Sequence, residues 1–343
     1  MRLPRRIHAV IAAAVLVLMG AEVWGIEQRV QLETTTGTLK GTLDLPNGRL
    51  PCPVVVIIAG SGPTDRDGNQ ALMKNDSLKF LGQGLSAKGI AALRYDKRGI
   101  AASAAAAPRE EDLRFETYVA DVVQWAAWLR RDARFLRVGL VGHSEGSLIG
   151  MLAAQRTKVD AFVSVAGTSR TAPALIREQL DTKLAPNLRT RSNQILDELV
   201  AGRTVTDVPK ELAALYRPSV QPYLISWFKY DPLREMAALK VPVLIVQGTT
   251  DLQITVDDAK RLAAANGNAK LRLVNGMNHV LKHATSPAEQ RAAYADPSLP
   301  IEALAAEEIA AFLTTETASG AERPNPAFES GRAEERRAAQ RER

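Results

Sequence analysis

The chain holds a single cysteine in 343 residues, so no internal disulfide can form. Cys52 stands just before a β-favouring run and reads as a small core residue. Aromatic residues are scarce, at 5%, and the excess of positive charge is modest. Of the net +6, residues 1–25 carry +2 and residues 320–343 carry +1. The body therefore has no basic stripe with interleaved aromatics of the kind that tracks phosphates, and no nucleic-acid partner is expected. No set of His, Asp and Glu has metal-ligand spacing, and Asp65-Arg66-Asp67-Gly68 lacks the later Glu of a calcium loop. No metal and no cofactor are expected. Long apolar runs are missing too. Ala9–Met19 is short for a membrane span, and no cysteine follows it closely to take a lipid. With Arg2, Arg5 and Arg6 before it and small residues after it, the segment has the pattern of a cleaved signal peptide. Export to a periplasm or beyond is expected, without a stable membrane anchor, and a lone cysteine is compatible with that route.

What the chain does have is Gly142-His143-Ser144-Glu145-Gly146, set between a short apolar strand pattern (138–141) and a helical pattern (147–155). A G-x-S-x-G on a strand-to-helix turn holds its serine in a strained conformation at the tip, and its glycines avoid Cβ clashes with neighbouring backbone. A serine nucleophile needs a base, and there are four histidines. His8 lies in the signal segment, and His143 cannot turn back on its neighbour's hydroxyl. His279, after the strand pattern Leu271–Val274 and a turn-forming loop, is preferred to His283, one helical turn further on. The acid should follow the preceding strand, Val243–Gln247, and the first carboxylate there is Asp251. Asp257 and Asp258 fit better as charges at a helix N-terminus. In this reading Ser144 attacks, His279 takes its proton, and Asp251 orients the imidazole. The oxyanion needs two donors: the amide of Glu145, and that of Ser61, with Gly62 as the alternative, in the glycine-containing loop 59–69.

Five stretches in order carry a family resemblance: Ala59–Gly68, Leu93-Arg94-Tyr95-Asp96-Lys97-Arg98-Gly99, the elbow, Gly248-Thr249-Thr250-Asp251, and Asn278-His279. They resemble the α/β-hydrolase superfamily over about residues 27–315. More narrowly, they are similar to serine hydrolases of the serine aminopeptidase-like type, a group that also holds carboxylesterases. The order Ser144, Asp251, His279 is the one this resemblance implies. Ala59 departs from the histidine many relatives have before the oxyanion-loop glycine, and it leaves the main-chain donors in place.

Strand and helix patterns alternate along most of the chain, after an antiparallel hairpin at 28–45 turning at Gly37. An α/β fold is expected, a mostly parallel twisted sheet with helices on both faces and its site at the strands' carboxyl ends. Tyr118, Trp125 and Trp128 lie on one helix at core spacing. Between 168 and 240 the alternation stops, and a helical segment broken at Pro173, Pro186, Pro209, Pro218 and Pro222 is expected to form a cap. Tyr223, Trp227, Phe228 and Tyr230 either line an acyl pocket there or pack the cap onto the body. The domain reading is a signal peptide at 1–25, a core at 26–167 and 241–315, the cap at 168–240, and a disordered tail at 316–343. Asp65, Arg66, Asp67, Asp96 and Arg98 are expected to form ion pairs that hold the oxyanion loop.

The expected function is an exported serine hydrolase acting on a small acyl ester through an acyl-enzyme. A short-peptide aminopeptidase would use the same three residues. It would also need carboxylates for the substrate's ammonium, with Glu145, Glu178, Glu198, Glu211 and Glu235 as the candidates. A binding protein on a hydrolase scaffold is the third reading.

Overall fold

The polar-in-loop, apolar-in-strand pattern of residues 52–58, 91–95, 135–143, 161–165 and 243–248 produces strands buried on both faces. The computed structural model describes residues 25–48 and 50–319. Its elements in order are β1 (Ile26–Thr34), β2 (Gly37–Leu45), β3 (Cys52–Ile58), α1 (Ser77–Ala87), β4 (Ala91–Tyr95), α2 (Phe115–Arg130), β5 (Phe135–His143), α3 (Glu145–Arg156) and β6 (Ala161–Val165). There follow α4 (Ala172–Asp181), α5 (Pro186–Val200), α6 (Ala213–Tyr216), α7 (Gln221–Trp227) and α8 (Pro232–Ala238). The chain continues with β7 (Val243–Gly248), α9 (Val256–Ala265), β8 (Lys270–Val274), α10 (Pro287–Ala295) and α11 (Ala303–Ser319).

The eight strands form one sheet in the order β1-β2-β4-β3-β5-β6-β7-β8. β1 and β2 make an antiparallel hairpin at one edge, and β2 also pairs antiparallel with β4. The pairs from β4 onward, through β3, β5, β6 and β7 to β8, are parallel. A parallel sheet must be covered on both sides, and two separate cores do this. On one face α2 and α3 bury Phe115, Trp125, Leu129, Ile149 and Leu152 against Val54, Val56 and Leu140, with Met236 and Leu262 beyond. On the other, α1 and α11 bury Leu78, Leu81, Leu85, Ile309 and Leu313 against Val55, Ile57, Val163 and Leu244. Trp125 and Tyr118 are buried, as core spacing on α2 requires, and Cys52 is a free, buried thiol.

The segment between β6 and β7 has its own core, built from Ile176, Ile195, Leu196, Leu199, Leu212, Tyr216 and Leu224. Its prolines start helices rather than break them. Pro173, Pro186 and Pro222 occupy the first turn of α4, α5 and α7, where the missing N–H has no intrahelical acceptor to lose. Two corrections concern the C-terminal part. α10 had no counterpart in the expected pattern, and α11 runs to Ser319, into the stretch expected to be a disordered tail from residue 316. The rest of that tail, and the signal segment apart from Gly25, lie outside the described residues. Among the described residues no helix is long and apolar enough to cross a membrane.

Candidate active site

The carboxyl ends of β3, β4, β5, β7 and β8 supply the site. β5 ends at His143, and α3 begins at Glu145, so Ser144 is the whole connection. It sits at φ 55° and ψ −121°, a region that costs a non-glycine residue about 1–3 kcal/mol. The turn is that tight because its flanks have no side chains. A Cβ on Gly142 would lie 2.3 Å from the Gly146 carbonyl oxygen, and one on Gly146 would lie 2.3 Å from that of Ile58. The Ser144 amide is tied to the Val165 carbonyl (2.9 Å) at the end of β6.

Asp251 and His279 are brought together, with Nδ1 of His279 2.8 Å from Oδ2 of Asp251. Both are buried. Asp251 Oδ1 accepts the amides of Gln253 (2.8 Å) and Ile254 (3.0 Å), and Gln247 Nε2 reaches Oδ2 at 3.2 Å. Burial pushes the Asp251 carboxyl up, but His279 and these two amides outweigh it and hold the group below the ordinary value. His279 is tied to the elbow by a second histidine. His143 Nε2 lies 2.8 Å from the His279 carbonyl oxygen, and the two rings are 5.0 Å apart. Burial, with His279 adding to it, lowers His143 to about 4. The ring is therefore neutral near pH 7, and the bond requires its Nε2–H to donate.

His283 lies elsewhere: it pairs with Glu302 at 2.6 Å, with its side chain 60% exposed. Asp258 caps α9 through Thr255, accepts from Ser169, and pairs with Arg170 at 2.7 Å. Burial raises its carboxyl, but these partners hold it at about 2. Asp257 is exposed and 3.7 Å from Lys260.

Loop 59–69 lies against the elbow: a Cβ on Gly60 would come within 3.2 Å of Ser144 Cβ. Its ion pairs form only in part as expected. Asp96 accepts the Arg66 amide (2.9 Å) and its guanidinium (2.6 Å), while Asp65 accepts the amides of Asp67 and Asn69 (both 2.9 Å). Asp67 pairs with Arg94. Arg98 does not hold the loop. Its guanidinium pairs with Asp121 of α2 at 2.5 Å and bonds Thr34, Thr36 and the Ala106 carbonyl. β4 ends at Tyr95, and in the coil after it both Asp96 and the next residue, Lys97, face the loop. Lys97 Nζ donates to the carbonyls of Gly60 (2.5 Å) and Gly62 (3.0 Å). Thr64 donates to that of Ser61 at 2.8 Å.

The aromatic residues of the 168–240 segment divide. Tyr223 reaches the elbow, donating to Glu145 Oε1 at 2.5 Å. Trp227 is stacked on Phe115 of α2, with centroids 5.9 Å apart and planes 2° off parallel. Phe228 packs against the segment's own core, and Tyr230 bonds Glu116 at 2.8 Å. Gln290 was also missed by the sequence reading. From α10 it bonds the carbonyls of Thr250 and Ala284 and the side chain of Asn278, bracing the Asp251 loop against the His279 loop.

A mostly parallel sheet flanked by helices, with a strained serine at a strand-to-helix turn and an Asp–His pair two and three strand ends away, defines an α/β-hydrolase. Within that fold the chain belongs to the serine aminopeptidase S33 family, whose model matches residues 76–285. It is similar to esterase EstD of Thermotoga maritima, 28% identical over 256 residues. That match covers 73% of this chain and 59% of the relative. The fold is shared with Est1E from Butyrivibrio proteoclasticus, solved with ferulic acid: TM-score 0.58 and 19% identity, over 84% of this chain and 99% of that one. It is also shared with the Pyrococcus furiosus esterase Pf2001, at TM-score 0.53 and 16% identity, over 86% and 92%.

Proposed function

We propose that the protein hydrolyses small carboxylic esters through an acyl-enzyme on Ser144. The observation that carries this is the 2.8 Å Asp251–His279 pair, tied through His143 to the turn on which Ser144 stands. His279 takes the Ser144 proton as Oγ attacks the acyl carbon, and the imidazolium is stabilised by Asp251. The oxyanion is held by the Glu145 amide, which as the first of α3 has no intrahelical acceptor, and by that of Ser61 or Gly62. The carbonyls of residues 60–62 all accept from Lys97 or Thr64, and the amides of Ser61 and Gly62, trans to the carbonyls before them, point the opposite way. The tetrahedral species expels the alcohol with the proton from His279. Water, activated by the same base, then releases the acid.

An ester is favoured over an N-terminal peptide because four of the five carboxylates that could hold an ammonium already have partners and the fifth stands on the exposed surface. Glu178 pairs with Arg170 (2.5 Å) and Glu198 with Arg203 (2.6 Å), while Gln155 donates to Glu235 (2.8 Å). Glu211 is exposed, and Glu145 is taken by Tyr223 and Lys97. The likeness to the Thermotoga maritima esterase supports the same reading. The test compares p-nitrophenyl acetate and butyrate with aminoacyl p-nitroanilides. Turnover of the esters with at most trace anilide cleavage is expected, and anilide cleavage at equal or higher kcat/KM would overturn the ester assignment.

A further inference from the structure

The reactions of Ser144, His279 and Asp251 leave a buried cluster beside the elbow without a task. Lys97 is 1% exposed and Glu145 is 5% exposed. Their charged atoms lie 3.6 Å apart, too far for a hydrogen bond, and Glu145 Oε2 has no hydrogen-bond partner. Its other oxygen takes the Tyr223 hydroxyl. Lys97 also lies 5.3 Å from the Tyr118 ring centroid, and Tyr118 packs edge-on to Tyr223 at 5.4 Å. A buried ion pair of this kind adds little to stability, because lost hydration offsets its attraction, and apolar side chains of similar volume would serve the fold as well.

What it does fix is a geometry. Lys97 grips the two carbonyls that flank Ser61, and Glu145 is the residue whose own amide is the other oxyanion donor. The pair therefore spans both halves of the oxyanion hole, and the third member arrives from α7, outside the core sheet. We propose that Tyr223, Glu145 and Lys97 form a positioning relay through which the seated helical segment 168–240 sets the spacing of the two oxyanion amides. The relay rests on the reading of Ser144 as nucleophile. With the Tyr223 hydroxyl in place, Glu145 is shared between tyrosine and lysine. Without it, the carboxylate turns wholly to Lys97 and draws Nζ off the Gly60 and Gly62 carbonyls, so the loop relaxes away from the elbow.

The test uses the full chain with p-nitrophenyl acetate, whose acyl group is too small to need an extended pocket. It reads kcat, KM and the Ki of a trifluoromethyl ketone, which adds Ser144 Oγ to its carbonyl and leaves an oxyanion in the hole. Tyr223→Phe should lose about tenfold in kcat, as expected for removing one hydrogen bond to a charged group. KM should stay within about twofold, and Ki should rise by the same factor as kcat falls. Lys97→Arg keeps the charge but replaces a compact ammonium with a longer planar fork that does not fit the Nζ position between the two carbonyls, and it should lose at least as much. Adding Tyr223→Phe to Lys97→Arg should cost nothing further, because the hydroxyl acts through the lysine. Tyr223→Phe with unchanged kcat and Ki, or with only KM raised, would overturn the relay and leave Tyr223 a packing residue. A wild-type protein that neither turns over the ester nor binds the ketone would overturn the nucleophile reading and the relay together.

Discussion

The strained turn at Ser144 and the pairing of Asp251 with His279 were legible from residue type and place in the chain, because a tight turn, a late loop and a strand end restrict which side chains fit them. Lys97 was not. It lies past the end of β4, in the coil and turn of residues 96–99, where no strand period says which side chains meet the loop after β3. Asp96 and Lys97 both reach that loop, while Arg98 turns away to Asp121. The distinction between His279 and His283 is also a residue-scale claim. His279→Ala should lose on the order of a thousandfold or more in kcat, because the serine then has no base. His283→Ala should leave kcat nearly unchanged, since its ring is mostly exposed and pairs with Glu302. Steady-state kinetics of the two variants, with circular dichroism to confirm folding, checks this. An active His279→Ala beside an inactive His283→Ala would move the base.

At the scale of elements, the loops after β7 and β8 are joined to each other by Gln290 of α10, and the second is joined to β5 by His143. The His143 tie has a pH dependence whose sign follows from the burial of the ring. Its folded value is about 4 against an ordinary 6.5, so the unfolded chain binds the extra proton between those values. The stabilisation is complete above about pH 6.5, is lost progressively as the pH falls to about 4, and does not change below that. A shift of this size corresponds to roughly 3 kcal/mol. Urea unfolding between pH 7 and pH 4.5 should show wild-type stability falling, and His143→Gln should be flatter over the same range. Equal slopes for the two proteins would contradict the burial of a neutral His143 ring at this position. The strands and most helices of the core were legible because their apolar periods are clean. α10 was not, since Pro287–Ala295 buries only Ala293 and so carries no apolar stripe. Its N-terminus is instead marked by a capping box of Ser286 and Glu289, a signal the periodicity does not include.

For the whole molecule, the parallel sheet places every proposed catalytic group at one end of the strands, so residues far apart in sequence need only short loops to meet. The 168–240 segment joins this frame at several points, near β7, along α2 and at the elbow. Arg170 pairs with Asp258 on α9, Trp227 stacks on α2, and Tyr223 bonds Glu145 at the elbow. A helical insertion was legible from the loss of strand–helix alternation. Its seating was not, because docking contacts such as Tyr223 to Glu145 join residues with no shared period. The central claim is that Ser144 is the nucleophile of a serine hydrolase. Intact-mass analysis after treatment with a fluorophosphonate tests it most directly. Wild-type protein should gain one adduct per chain, mapped to Ser144, and Ser144→Ala should gain none. An adduct that persists in Ser144→Ala, or a folded wild-type protein that takes none, would contradict it.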